Sequence, residues 1–461
     1  MISAITSSVD EATIRTFTAR LRGTLLRPGN ASYDVARRIW NGLIDRRPAF
    51  IARCAGADDV RLAVAFGRDH GLPVAVRGGG HNVADRKACD GGLMIDLSPL
   101  KGLVVDPVAR TVRAEPGLTW AEFDPETHAF GLATVGGVVG TTGIAGLTLG
   151  GGQGWLTGKY GLTLDNLLSA DVVTADGVLL HASPEEHADL FWALRGAGAN
   201  FGVVTAFEYR LHPVDTVLGG MVLHPLARAA EVLGFYSEFV ATQPDEITTY
   251  AALMTSPDGE PVVALVTCCA DDHGESERMV APLRRFGSPL ADTIGPISYP
   301  AMQALMSARF PSGRLNYWKS SRTETISAAA TEILVEQFRR VPSPFTAVVF
   351  ADCHGAYGRV AHDACAYGHR QLPLDMVILS SWTEPAATER NIAWTRTLFA
   401  ALQPHLSGGV YVNALDGDEG SERVRSAYGA HYPRLAALKA AYDPTNLFHL
   451  NHNIVPAASR T

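Results

Sequence analysis

Short apolar runs alternate with helically spaced apolar residues along the first part of the chain. Val60, Ala63, Val64 and Gly67 share one helical face behind Asp58 and Asp59, which predicts a helix opening at Ala57. Residues 73–76 and 92–97 read as buried strands. Segments 103–106 and 111–115 predict a hairpin turning through 107–110, and segments 168–174 and 178–181 a second one through Asp176-Gly177. A helix over 185–194, ending near Gly196, and a strand over 202–211 follow. The pattern changes near Val214. Strands over 219–222, 262–267, 346–350 and 376–381 alternate with helices over 228–238 and 327–340, which predicts an α+β unit on an antiparallel sheet. Helices over 421–430 and 434–442, broken at Pro433, close the chain.

A chain of 461 residues has room for two or three domains, and 47% hydrophobic with 19% charged residues suits an ordinary folded enzyme. The net charge of −8 leaves no basic footprint, so nucleic acid is not an expected partner. No apolar run reaches the roughly 18 residues of a membrane span, and residues 1–16 lack a basic-then-apolar leader pattern. The six cysteines show no CxxC spacing and read as reduced thiols of a cytoplasmic protein. No metal-ligand spacing stands out.

Candidate chemistry concentrates in glycine. Arg77-Gly78-Gly79-Gly80-His81 follows the strand at 73–76. Glycine backbone can fold so that its amides converge on an anion, with Arg77 adding charge and His81 a nucleophile. The same letters also fit a tight turn. A second cluster, 143–154, shifts the reading toward an extended ligand held by backbone. Neither cluster has the strand–helix frame of a Rossmann site, and none ends in Gly-Lys-Ser/Thr as a P-loop does. A pyrophosphate joining two ring systems, as in FAD, suits two glycine loops.

These segments carry a resemblance. Arg77-Gly-Gly-Gly-His81, Asp90-Gly-Gly-Leu-Met-Ile-Asp96, Gly143-Ile-Ala-Gly146 with Gly150-Gly-Gly-Gln-Gly154, and Lys159-Tyr-Gly-Leu-Thr-Leu-Asp165-Asn166 are the first part of it. Asp189-Leu-Phe-Trp-Ala-Leu-Arg195-Gly196, Asn200-Phe-Gly-Val-Val-Thr205, Tyr411-Val-Asn413 and Tyr442-Asp-Pro-Thr-Asn446 continue it. Together they resemble the berberine-bridge-enzyme-like branch of the vanillyl-alcohol-oxidase superfamily of FAD-linked oxidases. The resemblance implies an α+β fold: a discontinuous, two-subdomain PCMH-type FAD-binding domain over 1–213 and 405–461, and a substrate domain over 214–404 whose antiparallel sheet is covered by helices. It implies a covalent 8α-histidyl bond between His81 and the flavin. It assigns cofactor contacts to Arg77, Gly78, Gly79, Gly80, Asn82, Val139, Thr141, Thr142, Gly143, Gly146, Gly152, Gly154, Asn200, Gly202, Val203, Val204, Tyr411, Asn413 and Asn451.

Departures from the family pattern are informative. Val139 stands at the position of a second, cysteinyl anchor, so His81 is the single expected link. Thr142 occupies the oxygen-gate position, where a small residue favours an oxidase. Gln153 replaces a tyrosine of the plant members and can orient a substrate but not take its proton. Tyr411 is the first choice for the base, provided that its pKa is lowered. Ala414 widens the pocket, and Asp85 replaces a common glycine. By strand alternation Asp352 and His354 share a face, as do Tyr317 and Lys319; both pairs are expected to point at the flavin, the first as acid and base, the second toward substrate. Trp155 is expected to wall the substrate. The implied reaction moves a hydride from an alcohol, phenol or enol to flavin N5, with molecular oxygen then reduced to hydrogen peroxide. A dehydrogenase with another acceptor, or a non-catalytic flavin carrier, remains the alternative.

Overall fold

The computed structural model describes residues 9–84 and 89–458; Asp85 lies outside them. The fold is α+β with three principal sheets. The first has four strands in the order Thr24–Leu26, Phe50–Arg53, Leu93–Asp96, Val74–Arg77. Its last three strands run parallel, and helix Ala57–Asp69 covers it through Val60, Ala63 and Val64. The second is an antiparallel sheet of five strands, ordered Leu103–Asp106, Thr111–Ala114, Val203–Arg210, Leu167–Val173, Leu179–Ala182.

The third sheet has eight antiparallel strands, all between Thr216 and Trp382. Its middle strands, Pro261–Cys269, Ile247–Thr255, Ala347–Asp352 and Leu374–Trp382, are buried on both faces. One face packs on helices Ala229–Val240, Ala328–Phe338 and Thr388–Leu402 through Leu253, Val263, Val348, Phe350 and Ile378. The other packs toward the amino-terminal part through Tyr250, Ala252, Val266, Ala347 and Ala351. Such strands read as continuous apolar runs rather than alternating ones.

Two sequence expectations change here. Pro433 does not break the last helix. It lies in the first turn of Tyr432–Tyr442, where its missing N–H leaves no bond unmade. The Gly143 segment does open a helix, the short Ile144–Gly150. All six cysteines are buried. Among the described residues no helix is long and apolar enough to cross a membrane.

Two buried ionisable groups hold elements together, and each makes a prediction. Lys439 is fully buried and donates to the carbonyls of Asn200 (2.7 Å) and Phe448 (3.0 Å) and to Asp443 (2.6 Å). Asp443 in turn accepts the amides of Leu447 and Phe448. Lys439→Met strands a buried carboxylate and is expected to cost about 3–5 kcal/mol, read from denaturant unfolding. Asp124, buried in helix Trp120–His128, has one oxygen on Gln303 and the other without a partner; burial pushes its carboxyl up to about 8. The fold therefore favours its protonated form. The stability this supplies is complete below about pH 4, the ordinary aspartate range, and is lost as pH rises through about 8. Asp124→Asn is expected to match the unmodified protein near pH 4 in thermal unfolding and to melt higher above pH 8.

Candidate active site

The glycine loops meet. A Cβ on Gly79 would lie 2.5 Å from the Gly143 Cα, so only glycine lets the two backbones cross. They form one wall of a cavity of about 360 Å³ whose opposite wall is the inner face of the eight-stranded sheet. Gly78, Gly79, Gly80, His81, Asn82, Val139, Thr142, Gly143 and Gly146 line it. So do Asn200, Gly202, Val203 and Val204 from the five-stranded sheet side, and Tyr411, Asn413 and Asn451 from the carboxy-terminal segment.

Four expected cofactor contacts do not line this cavity. The Arg77 guanidinium donates to the Ala36 carbonyl and lies outside the cavity lining. Thr141 points to solvent. Gly152 packs on Thr163 and gives its N–H to Tyr411, and Gly154 lies directly against the Gly136 carbonyl. Their neighbours in the same motifs do line the cavity.

His81 is half-buried, with its ring stacked on Trp40 at 4.2 Å. Burial pushes its pKa down to about 4, so the imidazole is neutral, and Nε2 has no partner. Asn82 Oδ1, Asn451 Oδ1 and Gln153 Nε2 are likewise buried without partners. Buried polar atoms are normally satisfied, so this group along one cavity fits a polar ligand. A dinucleotide suits them: the side-chain-free loops could hold a pyrophosphate on backbone amides, and the amide side chains could meet polar ring atoms.

The sheet wall corrects the acid–base assignment. Ala347, Val349 and Ala351 face the cavity, so Asp352 lies on the opposite face. There it contacts His354 (2.6 Å) and Gln243, while His354 Nε2 reaches the Pro244 carbonyl at 3.2 Å. Burial alone would depress the His354 imidazole, but the Asp352 carboxylate outweighs it and holds it above its usual range. Asp352 and His354 thus pair with each other away from the cavity. The same parity shift removes Tyr317 and Lys319. Tyr317 donates to Asp418 (2.7 Å), and Lys319 reaches Asp418 and Glu419 at 2.6 and 2.8 Å, while their neighbour Trp318 lines the cavity.

Tyr411 lines the cavity, but its hydroxyl accepts the Gly152 amide (2.7 Å) and the Asn413 side chain (2.8 Å). Burial pushes its phenol up, the reverse of what a base requires. Trp155 lines the cavity 4.9 Å from Tyr250, and Gln153 lines it as well.

A carboxylate that sequence reasoning missed does line the cavity. Asp375, fully buried near the start of Leu374–Trp382, lines the cavity. It is paired across strands with Ala351 on one side and Arg322 on the other. Neither of its oxygens has a hydrogen-bond partner. Burial raises its pKa, opposed by the Arg322 charge and by the Gln153 amide, which approaches the carboxylate without closing a hydrogen bond of ordinary geometry. Arg322 is itself buried and is held by the hydroxyls of Tyr357 (2.6 Å) and Tyr367. The visible signal was a lone acid heading an apolar strand, Asp375-Met-Val-Ile-Leu379.

The chain is similar to known FAD-linked proteins. A family model described as FAD binding domain matches residues 48–183, and one described as Berberine and berberine like matches 410–455. The chain is 32% identical to an FAD-linked oxidoreductase of Dictyostelium discoideum, over 96% of this chain and 97% of the relative. It is also 32% identical to (R)-6-hydroxynicotine oxidase of Paenarthrobacter nicotinovorans, over 95% and 98%. The crystal structure of 6-hydroxy-D-nicotine oxidase from Arthrobacter nicotinovorans superposes with a TM-score of 0.86 at 30% identity, covering 95% of this chain and 98% of that one.

Proposed function

The chain belongs to the berberine-bridge-like family of FAD-linked oxidoreductases, and from that premise we propose that it is an oxidase whose flavin is bonded covalently through His81 alone and whose proton acceptor is Asp375. FAD, when bound, supplies the two-electron chemistry, taking a hydride from a substrate carbon and passing the pair to molecular oxygen as hydrogen peroxide. Everything else falls to the protein. Gly78, Gly79, Gly143, Val203 and Val204 present backbone to the pyrophosphate. His81 offers a neutral, nucleophilic imidazole. Val139 has no thiol, and no cysteine lines the cavity among the described residues.

The observation that carries the reading is Asp375, a buried carboxylate without a hydrogen-bond partner on the wall opposite the glycine loops. It takes the proton of a substrate O–H or N–H as the adjacent carbon gives up its hydride. The Gln153 amide orients the same group, and Tyr411 stays protonated and holds Gly152 in place. The base works only when ionised. Activity is therefore expected to fall as pH drops through a raised Asp375 pKa, on an acidic limb above the ordinary aspartate value of about 4. Asp375→Asn removes that limb in a pH–rate profile.

Thr142, a small side chain on the cavity wall, supports oxygen as the acceptor. Anaerobic reduction followed by mixing with oxygen tests this. Fast reoxidation with stoichiometric peroxide is expected of an oxidase, and slow reoxidation contradicts it.

A further inference from the structure

The cavity carries two ionic side chains, at opposite ends of an apolar wall. Among its described lining residues only Asp375 bears a carboxylate and only Arg309 a permanent positive charge. Asp375 lies in the cross-strand row of Ala351 and Tyr250. Arg309 donates through Nη2 to the carbonyl of Thr255, at the far end of the same strand as Tyr250. Five residues of extended strand separate those rows, about 16 Å. The face between them is Ala252, Met254, Val349 and Val377, which offers no hydrogen bond from a side chain.

Arg309 is half-buried and has no carboxylate partner among the described residues. Nor has Arg314, which donates to the Arg309 carbonyl at 2.9 Å and lies 3.8 Å over the ring of Phe345, another lining residue. Each guanidinium keeps unused donors. Burial and the nearby Arg314 charge both work against the Arg309 cation. An anion placed there would relieve both, and a guanidinium fork suits a planar carboxylate or a phosphate.

We propose that the substrate is an elongated, largely apolar molecule with an anionic group at the end bound by Arg309 and its oxidisable O–H or N–H carbon at the Asp375 end. This rests on the reading of Asp375 as proton acceptor. The wall also disfavours oligosaccharides, whose hydroxyls would be buried against Ala252, Met254 and Val349 without partners.

The test is equilibrium binding to the flavin-loaded protein, followed by perturbation of flavin absorbance. The probes are ω-(4-hydroxyphenyl)alkanoates with side chains of three to six carbons, each matched with its uncharged amide and with the corresponding alkyl phosphate. At least one carboxylate or phosphate should bind at least about tenfold more tightly than its amide, a charge-assisted contact of ~1.4 kcal/mol. In Arg309→Met that preference should disappear, and in Arg309→Lys only part of it should return. A carboxylate-only or phosphate-only preference identifies the anion. Equal affinity of acids and amides, absence of any response to the acids at millimolar concentration, or a preference that survives Arg309→Met overturns the proposal. Flavin content and melting temperature establish that each variant is folded. The same titrations in Asp375→Asn keep the two ideas apart: the charge preference persists there even if Asp375 proves not to be the base.

Discussion

Asp375→Asn slows substrate oxidation by about 10²–10⁴-fold, the span usual for removing a general base. Asp375 is the only carboxylate among the described residues lining the cavity. It is buried without a hydrogen-bond partner, an arrangement costly to keep unless a ligand completes it. Asparagine preserves its shape and removes its proton affinity. Single-turnover reduction under anaerobic conditions isolates the step, with the loss expected in the limiting rate rather than in substrate affinity. Asp352→Asn supplies the contrast. That residue lies on the opposite face of the sheet, against His354 and Gln243, so its replacement should leave the limiting rate near that of the unmodified protein.

His81→Ala has the second large effect, complete loss of covalent flavin. Desolvation keeps the imidazole neutral, Trp40 stacks on its ring, and its Nε2 is unclaimed. Alanine removes the nucleophile but leaves the glycine loops intact, so FAD should still bind and should dissociate on denaturation. Trp40 also loses its stacking partner, and a modest fall in melting temperature accompanies the change.

What the sequence made legible follows from where local chemistry decides structure. The crossing of Gly79 and Gly143 is written in glycine, because no other residue tolerates a 2.5 Å approach. The cavity position of His81, Asn82, Val203 and Val204 follows from their neighbours in the same short motifs. The substrate sheet was a different problem. Val348, Val349, Phe350 and Ala351 are apolar on both sides, since helices cover one face and the cavity the other. Alternation then cannot say which parity faces in. The expectation took Asp352 and Lys319 as inward, and long-range pairing set the register one residue away. Asp375 was missed for a related reason: the strand was started at Met376, leaving the acid in the preceding loop. Arg77 misled because its charge looked available, whereas its partner, the Ala36 carbonyl, is 41 residues away in sequence.

The central claim is that His81 is the sole covalent tether of the flavin that faces Asp375. It is tested most directly by the intact mass of the denatured protein, with peptide mapping of the adduct. The account predicts the polypeptide plus one FAD, with the increment confined to the peptide containing His81 and absent from His81→Ala. A bare polypeptide mass after full flavin loading, or an FAD increment that survives in His81→Ala, would contradict it.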